Sequence, residues 1–384
     1  MATVTTHAPA TFEEAAEALA GAAAEGRRVR IVGAGSKLHW GNPTDAASAD
    51  LELRTTALNE IVEHNAGDLT ATLQAGVSLA DAQRTFAEVG QTLALDPPLV
   101  AIGSYPPPTI GGVVATGDSG PLRHRYGAPR DLVIGATVAL SDGTIASSGG
   151  KVIKNVAGYD LAKLFSGSFG TLGLILSVSV RLHPLHDPSA TAVGATDHVH
   201  TLARAAVALA AFPAELEALD IAWHGGRGGI LARCGGREAS RRAQRTAERM
   251  LELDLEGVDV AEPDEPLWER QRAGQRSPDE ALLRVSVPPA QLAAVLLAAD
   301  AADATVVGRA ALGTSYLTLA PKAVADVRRR LPQGATSVVL DAPPGVELDR
   351  WGPVGEPALR LMRRVKQRFD PAGICNPGVF VGGI

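Results

Sequence analysis

Residues 97–120 constrain the fold of this 384-residue chain more than any other segment. The segment, PPLVAIGSYPPPTIGGVVATGDSG, is rich in proline and glycine, and Asp118 is its one charged residue. It is too apolar for a simple linker, so it either packs inside a domain or lies against a ligand. Its glycines and small hydroxyls favour a backbone that faces a flat polar ring, with a packed irregular loop as the alternative. The residues concerned are Thr109, Gly111, Gly112, Thr116, Ser119 and Gly120.

A second glycine-rich turn follows a predicted strand near the N-terminus. VRIVG, at residues 29–33, predicts the strand, and the loop GAGSK at residues 33–37 comes directly after it. Glycine lets backbone amides approach and hold phosphate oxygens because it has no Cβ. Leu38 stands where a Rossmann fingerprint needs its third glycine, and the spacing before Lys37 is too short for a Walker loop. Taken alone, the loop fits a plain turn as well as a phosphate site.

The third such segment is KVIKNVAGYDLAKLFSGSFGTLGLI at residues 151–175. It fits a strand, a turn and a helix with surface lysines. The alternative places Gly170, Thr171 and Gly173 beside the same ligand as the other two glycine-rich segments.

Two helices are predicted around these segments. A capping box between Thr11 and Glu14 begins a helix over residues 11–25, which Gly26 stops. Ser78 caps a second helix that ends at Gly90. Its apolar stripe consists of Leu79, Ala82, Phe86 and Val89.

Alternation of apolar and polar residues predicts half-buried strands. One strand covers residues 69–75, and another covers residues 132–140 before an Asp142-Gly143 hairpin turn. A third covers residues 172–182 and places five apolar residues on one face. These five are Leu174, Leu176, Val178, Val180 and Leu182.

The sequence pattern changes after residue 187. Between residues 188 and 344, short strands alternate with helices rich in alanine and arginine, which predicts an α+β domain with a helix-covered sheet. The last forty residues hold a basic helix, Pro357–Phe369, and then FDPAGICNPGVFVGGI. The arginine runs at 241–242, 328–330 and 363–364 are interpreted as solvated helix faces, with a protein interface as the alternative.

Composition excludes several function classes. The net charge of −6 gives no electrostatic case for nucleic acid or an anionic membrane, and 4% aromatic residues disfavour a stacking platform for single strands. Cys234 and Cys375 are too few for a disulfide framework or an iron–sulfur cluster, and they suit a reducing compartment. The N-terminus lacks the pattern of a signal peptide, and the apolar runs are too short for a membrane span. We therefore expect a cytoplasmic protein with no direct membrane insertion.

Motifs for other kinds of chemistry do not occur. The sequence has no GxSxG, no HExxH and no CxxC. The histidines are scattered without metal-ligand spacing apart from a loose His183/His186 pair, and a metal site at that pair is disfavoured. We therefore predict no metal site, and no catalytic residue can be assigned from these motifs.

Six ordered segments together resemble the FAD-binding fold of the vanillyl-alcohol oxidase / p-cresol methylhydroxylase (PCMH/VAO) type. Within that family the chain most resembles the FAD-binding subunit of glycolate oxidase (GlcE-like), on VIKNVAGYDLAKL and on its short length. The resemblance covers about residues 10–185 and 355–384, and the middle part matches only in position and length. The segments are GAGSK, TLQAGVSL, PPPTIGGVVATGDSG, RYGAPRDLVIGATVALSDGT, GGKVIKNVAGYDLAKLFSGSFGTLG and FDPAGICNPG.

The resemblance implies a fold and a domain plan. The expected fold is α+β: a two-subdomain PCMH/VAO-type FAD-binding domain at residues 1–187 and an inserted α+β cap domain at residues 188–344. The C-terminal segment, residues 345–384, returns to the FAD domain. The flavin supplies the redox chemistry, and the protein sets its position and electronics.

The resemblance also assigns site residues. The FAD pyrophosphate would be bound by Gly33, Ala34, Gly35, Ser36 and Lys37. The diphosphate, ribityl chain and flavin ring would lie along Thr109, Gly111, Gly112, Ala115, Thr116, Ser119 and Gly120. Backbone groups of Gly173 and Ile175 would face the flavin or the adenine, and Asn376 would return to the flavin edge. In this picture Gly111→Val would leave a folded, colourless chain.

Two departures from the family bear on the chemistry. Many relatives attach FAD covalently through a histidine in the first loop, but Ser36 occupies that position, so we predict non-covalent FAD. Larger 2-hydroxyacid dehydrogenases carry a motif close to HxGDGNxH late in the chain, and this sequence lacks it. Independent catalysis by this chain is therefore in question.

Three functions follow as hypotheses. The first is the FAD-binding subunit of a glycolate (2-hydroxyacid) oxidase or dehydrogenase complex, with a larger catalytic flavoprotein subunit and an iron–sulfur subunit as partners; such partners could hold it peripherally at the inner membrane. The second is a self-sufficient FAD oxidoreductase of a small alcohol or hydroxy acid. There Arg123, Arg125, Tyr126 or Lys154 would bind the substrate carboxylate. The third is a scaffold that has lost FAD.

Overall fold

The computed structural model describes residues 4–42, 49–98, 106–150 and 160–384, and these ranges form three larger sheets. Helices and strands mix in both halves of the chain, so the predicted α+β class is confirmed. Within the described ranges, no helix combines the length and the apolar character needed to cross a bilayer.

The first sheet is small and parallel, and it supports the N-terminal glycine loop. Its strands are β1 (Thr5–His7), β2 (Val29–Val32) and β3 (Leu51–Arg54), in the order β1-β3-β2. Helix α1 (Phe12–Ala24) links β1 to β2 and packs on the sheet through Ala15 and Leu19.

The predicted N-cap and stop of α1 are confirmed. Thr11 Oγ1 accepts a hydrogen bond from the Glu14 amide at 3.1 Å, and Gly26 has a left-handed φ of +65°. The Glu14 carboxylate accepts from the Ala10 amide at 2.8 Å, one residue before the position that a capping box would use.

The second sheet is antiparallel, with the order β4-β5-β9-β7-β8. Its strands are β4 (Ile61–Asn65), β5 (Thr70–Gln74), β7 (Val133–Ala139), β8 (Ile145–Gly149) and β9 (Leu174–Arg181). The short strands β6 (Gln91–Thr92) and β10 (His183–Pro184) pair beside it. Its helices are α2 (Leu79–Ala87), α3 (Ile110–Thr116), α4 (Arg123–Tyr126), α5 (Pro129–Leu132) and α6 (Ala162–Phe165).

Two details of this region differ from the sequence prediction. Val89 was placed in the apolar stripe of α2, but it follows the helix and is 54% exposed. The five apolar residues predicted on one face of residues 172–182 do not share one core, because a bulge in β9 opposite Thr137 and Val138 reverses the alternation. Leu174 and Leu176 consequently pack with the first sheet, whereas Ile175 packs with the second.

The segment around the paired glycines is a helix, so an irregular loop is the wrong description for residues 110–116. Thr109 caps α3 by accepting from the Gly112 amide at 3.3 Å, and Gly117 ends it with a φ of +65°. The side chains of Ile110, Val113 and Val114 pack in the core of the second sheet. This segment therefore contributes apolar volume to the core, which the sequence analysis did not expect of it.

The third sheet has eight antiparallel strands in the order β14-β11-β13-β12-β16-β17-β15-β18. They are β11 (Ser189–Thr196), β12 (Ala218–His224), β13 (Arg227–Gly235), β14 (Glu256–Ala261), β15 (Ala281–Ser286), β16 (Thr305–Arg309), β17 (Thr314–Leu319) and β18 (Thr336–Asp341). One face forms a large core with α7 (Val199–Ala210), α8 (Ala239–Glu252), α10 (Leu292–Asp300) and α11 (Val324–Arg330). Helix α9 (Glu265–Ala273) contacts the other face, where Trp268 donates to Thr191 Oγ1 at 2.8 Å.

The C-terminal part returns to the first two sheets. Helix α12 (Glu356–Phe369) packs Val365 and Phe369 against the core of the second sheet. Cys375 then pairs with Val29 in a parallel bridge beside β2. The domain boundaries at residues 187 and 344 remain a proposal that agrees with the placement of the sheets.

Gly111→Ala is expected to destabilise the fold. The Gly111 amide donates to Ala75 O at 2.8 Å, and an added Cβ would lie 2.6 Å from the Ala75 Cβ. Overpacking of this kind costs about 1–3 kcal/mol of unfolding free energy. Gly21→Ala in α1 is the matched control, because an added Cβ there meets nothing within 4 Å and helix propensity favours alanine by roughly 1 kcal/mol.

Urea unfolding of both variants measures these changes. An unchanged midpoint for Gly111→Ala would contradict the close approach of α3 and β5. The same contact corrects the sequence-based expectation for Gly111→Val, whose side chain would meet β5 before it met a cofactor.

Candidate functional site

A deep slot lies between the first and second sheets. The space free of protein atoms in this slot, counted together with its open mouth, is about 1050 Å³. Its walls come from β2 and the loop after it, from α3, from the start of β9 and from the C-terminal segment.

The loop after β2 presents unpaired backbone donors to this slot. The amides of Ala34, Gly35, Ser36 and Lys37 donate no hydrogen bond to any described residue, and all four residues line the slot. Gly35 takes a left-handed φ of +88°, which a glycine tolerates without strain. Successive free amides of this kind form a concave site for an anion such as a diphosphate.

Helix α3 forms the opposite wall but offers few donors. The Ile110 amide donates to Val77 O and the Gly111 amide to Ala75 O, both at 2.8 Å. The N-terminus of α3 instead lies very close to the loop after β2: a Cβ on Gly33 would lie 2.3 Å from Thr109 Oγ1. A Cβ on Gly112 would meet only that same hydroxyl, at 3.2 Å, so the slot is open above Gly112.

The third wall joins β9 to the C-terminal segment. Gly170, Gly173 and Ile175 line it together with Asn376. The Asn376 side chain accepts from the Ile31 amide at 2.7 Å and donates to Phe169 O at 2.6 Å. Asn376 therefore lines the slot as predicted. Its side-chain amide is not a free donor, because it bonds Ile31 and Phe169 and so stabilises the wall.

The structure brings together thirteen of the fifteen site residues predicted from the sequence. They are Gly33, Ala34, Gly35, Ser36, Lys37, Thr109, Gly111, Gly112, Ala115, Thr116, Gly173, Ile175 and Asn376. Ser119 and Gly120 lie outside the lining. Ser119 Oγ accepts from Arg123 at 3.3 Å, and Gly120 is pressed against Asp96, where a Cβ would lie 1.8 Å from the Asp96 carbonyl oxygen.

A buried charged cluster, made of Lys37, Asp118 and Arg276, lies at the edge of the slot. Lys37 Nζ is 3.5 Å from Asp118 Oδ2, and Arg276 donates to the same oxygen. The Arg276 guanidinium also lies 4.8 Å from the centre of the Trp40 ring. Two cations share one carboxylate, so the cluster has excess positive charge. Burial and, to a lesser degree, Arg276 lower the pKa of Lys37 to about 8, although Asp118 opposes the shift.

The third sheet closes on this corner. Trp40 and Phe169 from the slot wall pack against Val307, Tyr316 and other apolar residues of that sheet. Buried Asp341 fixes the contact, because it accepts from Trp40 Nε1 at 3.0 Å and contacts His39 Nε2 at 2.7 Å. No described residue between 188 and 344 lines the slot.

Farther from the slot, a second polar cluster joins the third sheet to the chain around Gly120. Buried Arg309 bonds Asp220 and donates from Nε to Gly120 O at 3.0 Å. Asp96 lies nearby, with Oδ1 accepting from the Leu122 amide at 3.0 Å, and Oδ2 has no hydrogen-bond partner among the described residues. Burial raises the pKa of Asp96 to about 7, against the attraction of Arg272 and Arg309. Burial also raises the pKa of Asp220 to about 6, against the attraction of Arg309.

Two of the residues proposed for substrate carboxylate binding, Arg125 and Tyr126, contact the chain just before β12 and do not line the slot. Arg125 donates to Glu215 O at 2.9 Å, and Tyr126 donates to Glu217 Oε1 at 3.1 Å. Arg123 contacts Ser119, as noted above. Lys154 lies outside the described residues, as do most residues of the predicted 151–175 segment before Asp160.

Sequence reasoning missed several parts of the site. Trp40 lies three residues after the glycine loop and could have been included with it. Arg276 gave no local signal, because its partner Asp118 is 158 residues away. Phe169 and Val379 line the slot through backbone and apolar contacts that no motif marks.

The fold combines two α/β subdomains, the third sheet as a covering sheet, and a slot with free amides. This combination defines a PCMH/VAO-type FAD-binding protein. The family model for an FAD binding domain matches residues 6–149, and the model for the C-terminal domain of FAD linked oxidases matches residues 353–380. FAD is therefore its cofactor, and the free amides of residues 34–37 fit the diphosphate of that molecule.

Curated relatives agree with this assignment. The chain is 36% identical over 196 residues to glycolate oxidase subunit GlcD of Bacillus subtilis, and 34% identical over 154 residues to subunit GlcE of Escherichia coli. These alignments cover 50% and 40% of this chain, and only 41% and 42% of the relatives. The FAD-linked oxidoreductase Rv2280 of Mycobacterium tuberculosis is 28% identical, and the alignment covers 97% of this chain and 90% of that protein.

A solved structure confirms the fold. Alkyldihydroxyacetonephosphate synthase superposes with a TM-score of 0.69 at 14% identity, covering 97% of this chain and 76% of that one. The similarity concerns the fold alone.

Gly112→Val should block FAD binding without unfolding the chain. The new side chain extends into the slot above α3, and its Cβ meets only the Thr109 hydroxyl. We expect FAD affinity to fall at least about tenfold while the unfolding free energy of the apoprotein stays within about 1 kcal/mol. Fluorescence titration with FAD measures the affinity, and Gly21→Val on α1 is the control. Wild-type affinity in Gly112→Val would show that FAD does not lie along α3.

Asp96→Asn should change how stability depends on pH. A carboxyl whose pKa is raised in the folded state stabilises the fold while it is protonated, and this contribution is lost as pH rises from about 4 to about 7. We therefore expect Asp96→Asn to be more stable than wild type at pH 8, with a difference that shrinks below pH 6. Urea midpoints across this range test it, with exposed Asp279→Asn as control. Parallel profiles for wild type and Asp96→Asn would contradict the assignment.

Proposed function

We propose that this chain is the FAD-binding subunit of a complex that oxidises a 2-hydroxy acid such as glycolate. Its flavin would accept a hydride or relay electrons toward an iron–sulfur subunit, and a larger flavoprotein subunit would be the main catalyst. The relatives named glycolate oxidase subunits support this proposal. Hydroxy acid dehydrogenases also occur among the relatives, such as D-2-hydroxyglutarate dehydrogenase of Stutzerimonas stutzeri, 32% identical over 159 residues.

The observation that carries the proposal is the composition of the slot wall. Its described lining lies within residues 28–175 and 376–379, and no side chain of the third sheet enters it. The covering sheet packs on Trp40 and Phe169 directly. A site that binds a flavin but receives no polar side chain from the covering sheet suits a subunit that shares its substrate chemistry with a partner.

Individual residues have separate tasks in this proposal. The amides of residues 34–37 bind the FAD diphosphate, and Lys37 adds a buried positive charge beside them. Gly112 leaves room for the ring and its chain. FAD, when bound, supplies the hydride and electron chemistry.

A self-sufficient oxidoreductase is the second candidate, and the excess charge of the Lys37–Asp118–Arg276 cluster favours it. A buried cation beside an aromatic ring can hold a small carboxylate. In that case the isolated chain would oxidise a hydroxy acid by itself.

Anaerobic spectroscopy of the purified chain distinguishes the candidates. We expect dithionite to bleach the flavin of the isolated chain and glycolate or D-lactate to leave it oxidised, until the chain is mixed with its larger flavoprotein partner. Bleaching by substrate alone would establish the second candidate. A chain that takes up no FAD would contradict both.

Acid precipitation tests how the flavin is held. Because Ser36 stands where relatives carry an attachment histidine, we expect all flavin absorbance to remain in the supernatant. A yellow pellet would show a covalent bond and overturn this part of the proposal.

A further inference from the structure

The exposed face of α12 carries arginines that the rest of the molecule leaves unpaired. Arg360, Arg363, Arg364 and Arg368 are all exposed. None of the four forms an ion pair, a hydrogen bond or a ring contact with any described residue. Helix α12 holds five basic residues and one acidic residue, whereas the chain as a whole has a net charge of −6.

The other arginine runs of the chain behave differently. On α8, Arg241 and Arg242 pair with Glu238 at 3.4 Å and Glu215 at 2.8 Å. On α11, Arg329 and Arg330 share Asp326 at 2.9 and 2.7 Å. The charges of those two runs are neutralised within the molecule, so the interpretation as solvated helix faces is adequate for them. The arginines of α12 have no such partners within the part of the chain that the structure describes.

The geometry of α12 arranges three of these arginines in a row. Arg360, Arg364 and Arg368 are spaced i, i+4 and i+8, so they follow one face over about 12 Å. Leu361, which is 61% exposed, lies beside them. A row of fixed guanidinium groups next to one apolar side chain resembles the rim and centre of a small protein interface.

The inward face of α12 is anchored to the slot. Lys366 Nζ donates to Thr171 O at 2.7 Å and to Cys375 O at 2.8 Å, and it pairs with Asp370 at 2.6 Å. Asn376, which follows Cys375, lines the slot. A partner on the outward face would therefore sit about one helix diameter, roughly 10 Å, from the slot wall.

We propose that the Arg360–Arg364–Arg368 face of α12 is a docking surface for a partner protein that presents a row of carboxylates. Arginine favours this occupant because its guanidinium pairs with carboxylates in a fixed, forked geometry. A membrane surface is the weaker alternative: interfacial helices carry several large apolar or aromatic side chains on the inserted face, and here Leu361 is the single large one. This surface goes beyond the proposed function and does not depend on bound FAD.

The test uses the full-length chain and a stapled helical peptide with glutamates at i, i+4 and i+8. A peptide of equal charge and scrambled order is the second probe, and vesicles of phosphatidylglycerol and phosphatidylcholine are the third. The variant is Arg360→Gln/Arg364→Gln/Arg368→Gln. The matched control is Arg241→Gln/Arg245→Gln/Arg249→Gln, which removes three arginines at the same spacing from α8.

We expect wild type and the α8 variant to bind the ordered peptide, with affinity that falls as salt rises. The α12 variant should bind it at least about tenfold more weakly, and the scrambled peptide should bind wild type more weakly too. Replacing the three arginines with lysines should restore only part of the affinity.

Three results would overturn the proposal. The first is equal peptide affinity in wild type and the α12 variant, and the second is equal affinity of wild type for both peptides. The third is binding of wild type to the vesicles but not to the ordered peptide, which would assign the face to a lipid surface. Circular dichroism of each variant confirms that lost binding is not lost folding.

Discussion

The backbone amides of residues 34–37 are donors that the fold leaves without a partner, and a half-buried donor needs one. Most of the surrounding architecture serves to place them. The parallel β2 delivers the loop to the sheet edge, and Gly33 permits the approach of Thr109, whose hydroxyl caps α3. Gly111 brings α3 against β5. The slot thus results from close backbone approaches that side chains would prevent.

Buried charges join the covering sheet to this slot, beside the apolar contacts of Trp40 and Phe169. Arg276 reaches Asp118 and Trp40, Arg309 reaches Gly120, and Asp341 holds Trp40. Each group is costly to bury and is compensated only when both halves are in register. The relative position of the covering sheet and the flavin site is therefore specified by polar contacts. Near Arg309, burial raises the pKa values of Asp96 and Asp220.

The sequence predicted the local features well because each had a local cause. Thr11 and Ser78 cap helices through bonds within four residues, and the Asp142-Gly143 turn joins β7 to β8. The glycine loop was recognised from its residues and from the family resemblance. Helix α3 was misjudged because proline and glycine around it suggested a loop, while its apolar residues find their core only in the folded sheet. The Asp118–Arg276 pair joins distant parts of the chain, so no spacing rule could reveal it.

Hydrogen exchange of individual amides, measured with and without FAD, tests the central claim most directly. We expect the amides of residues 34–37 to exchange quickly in the apoprotein and to become protected when FAD binds. The amides of Ile110 and Gly111, which already donate to the carbonyls of Val77 and Ala75 after β5, should change little. Unchanged exchange at residues 34–37 in the FAD complex would show that the diphosphate is held elsewhere.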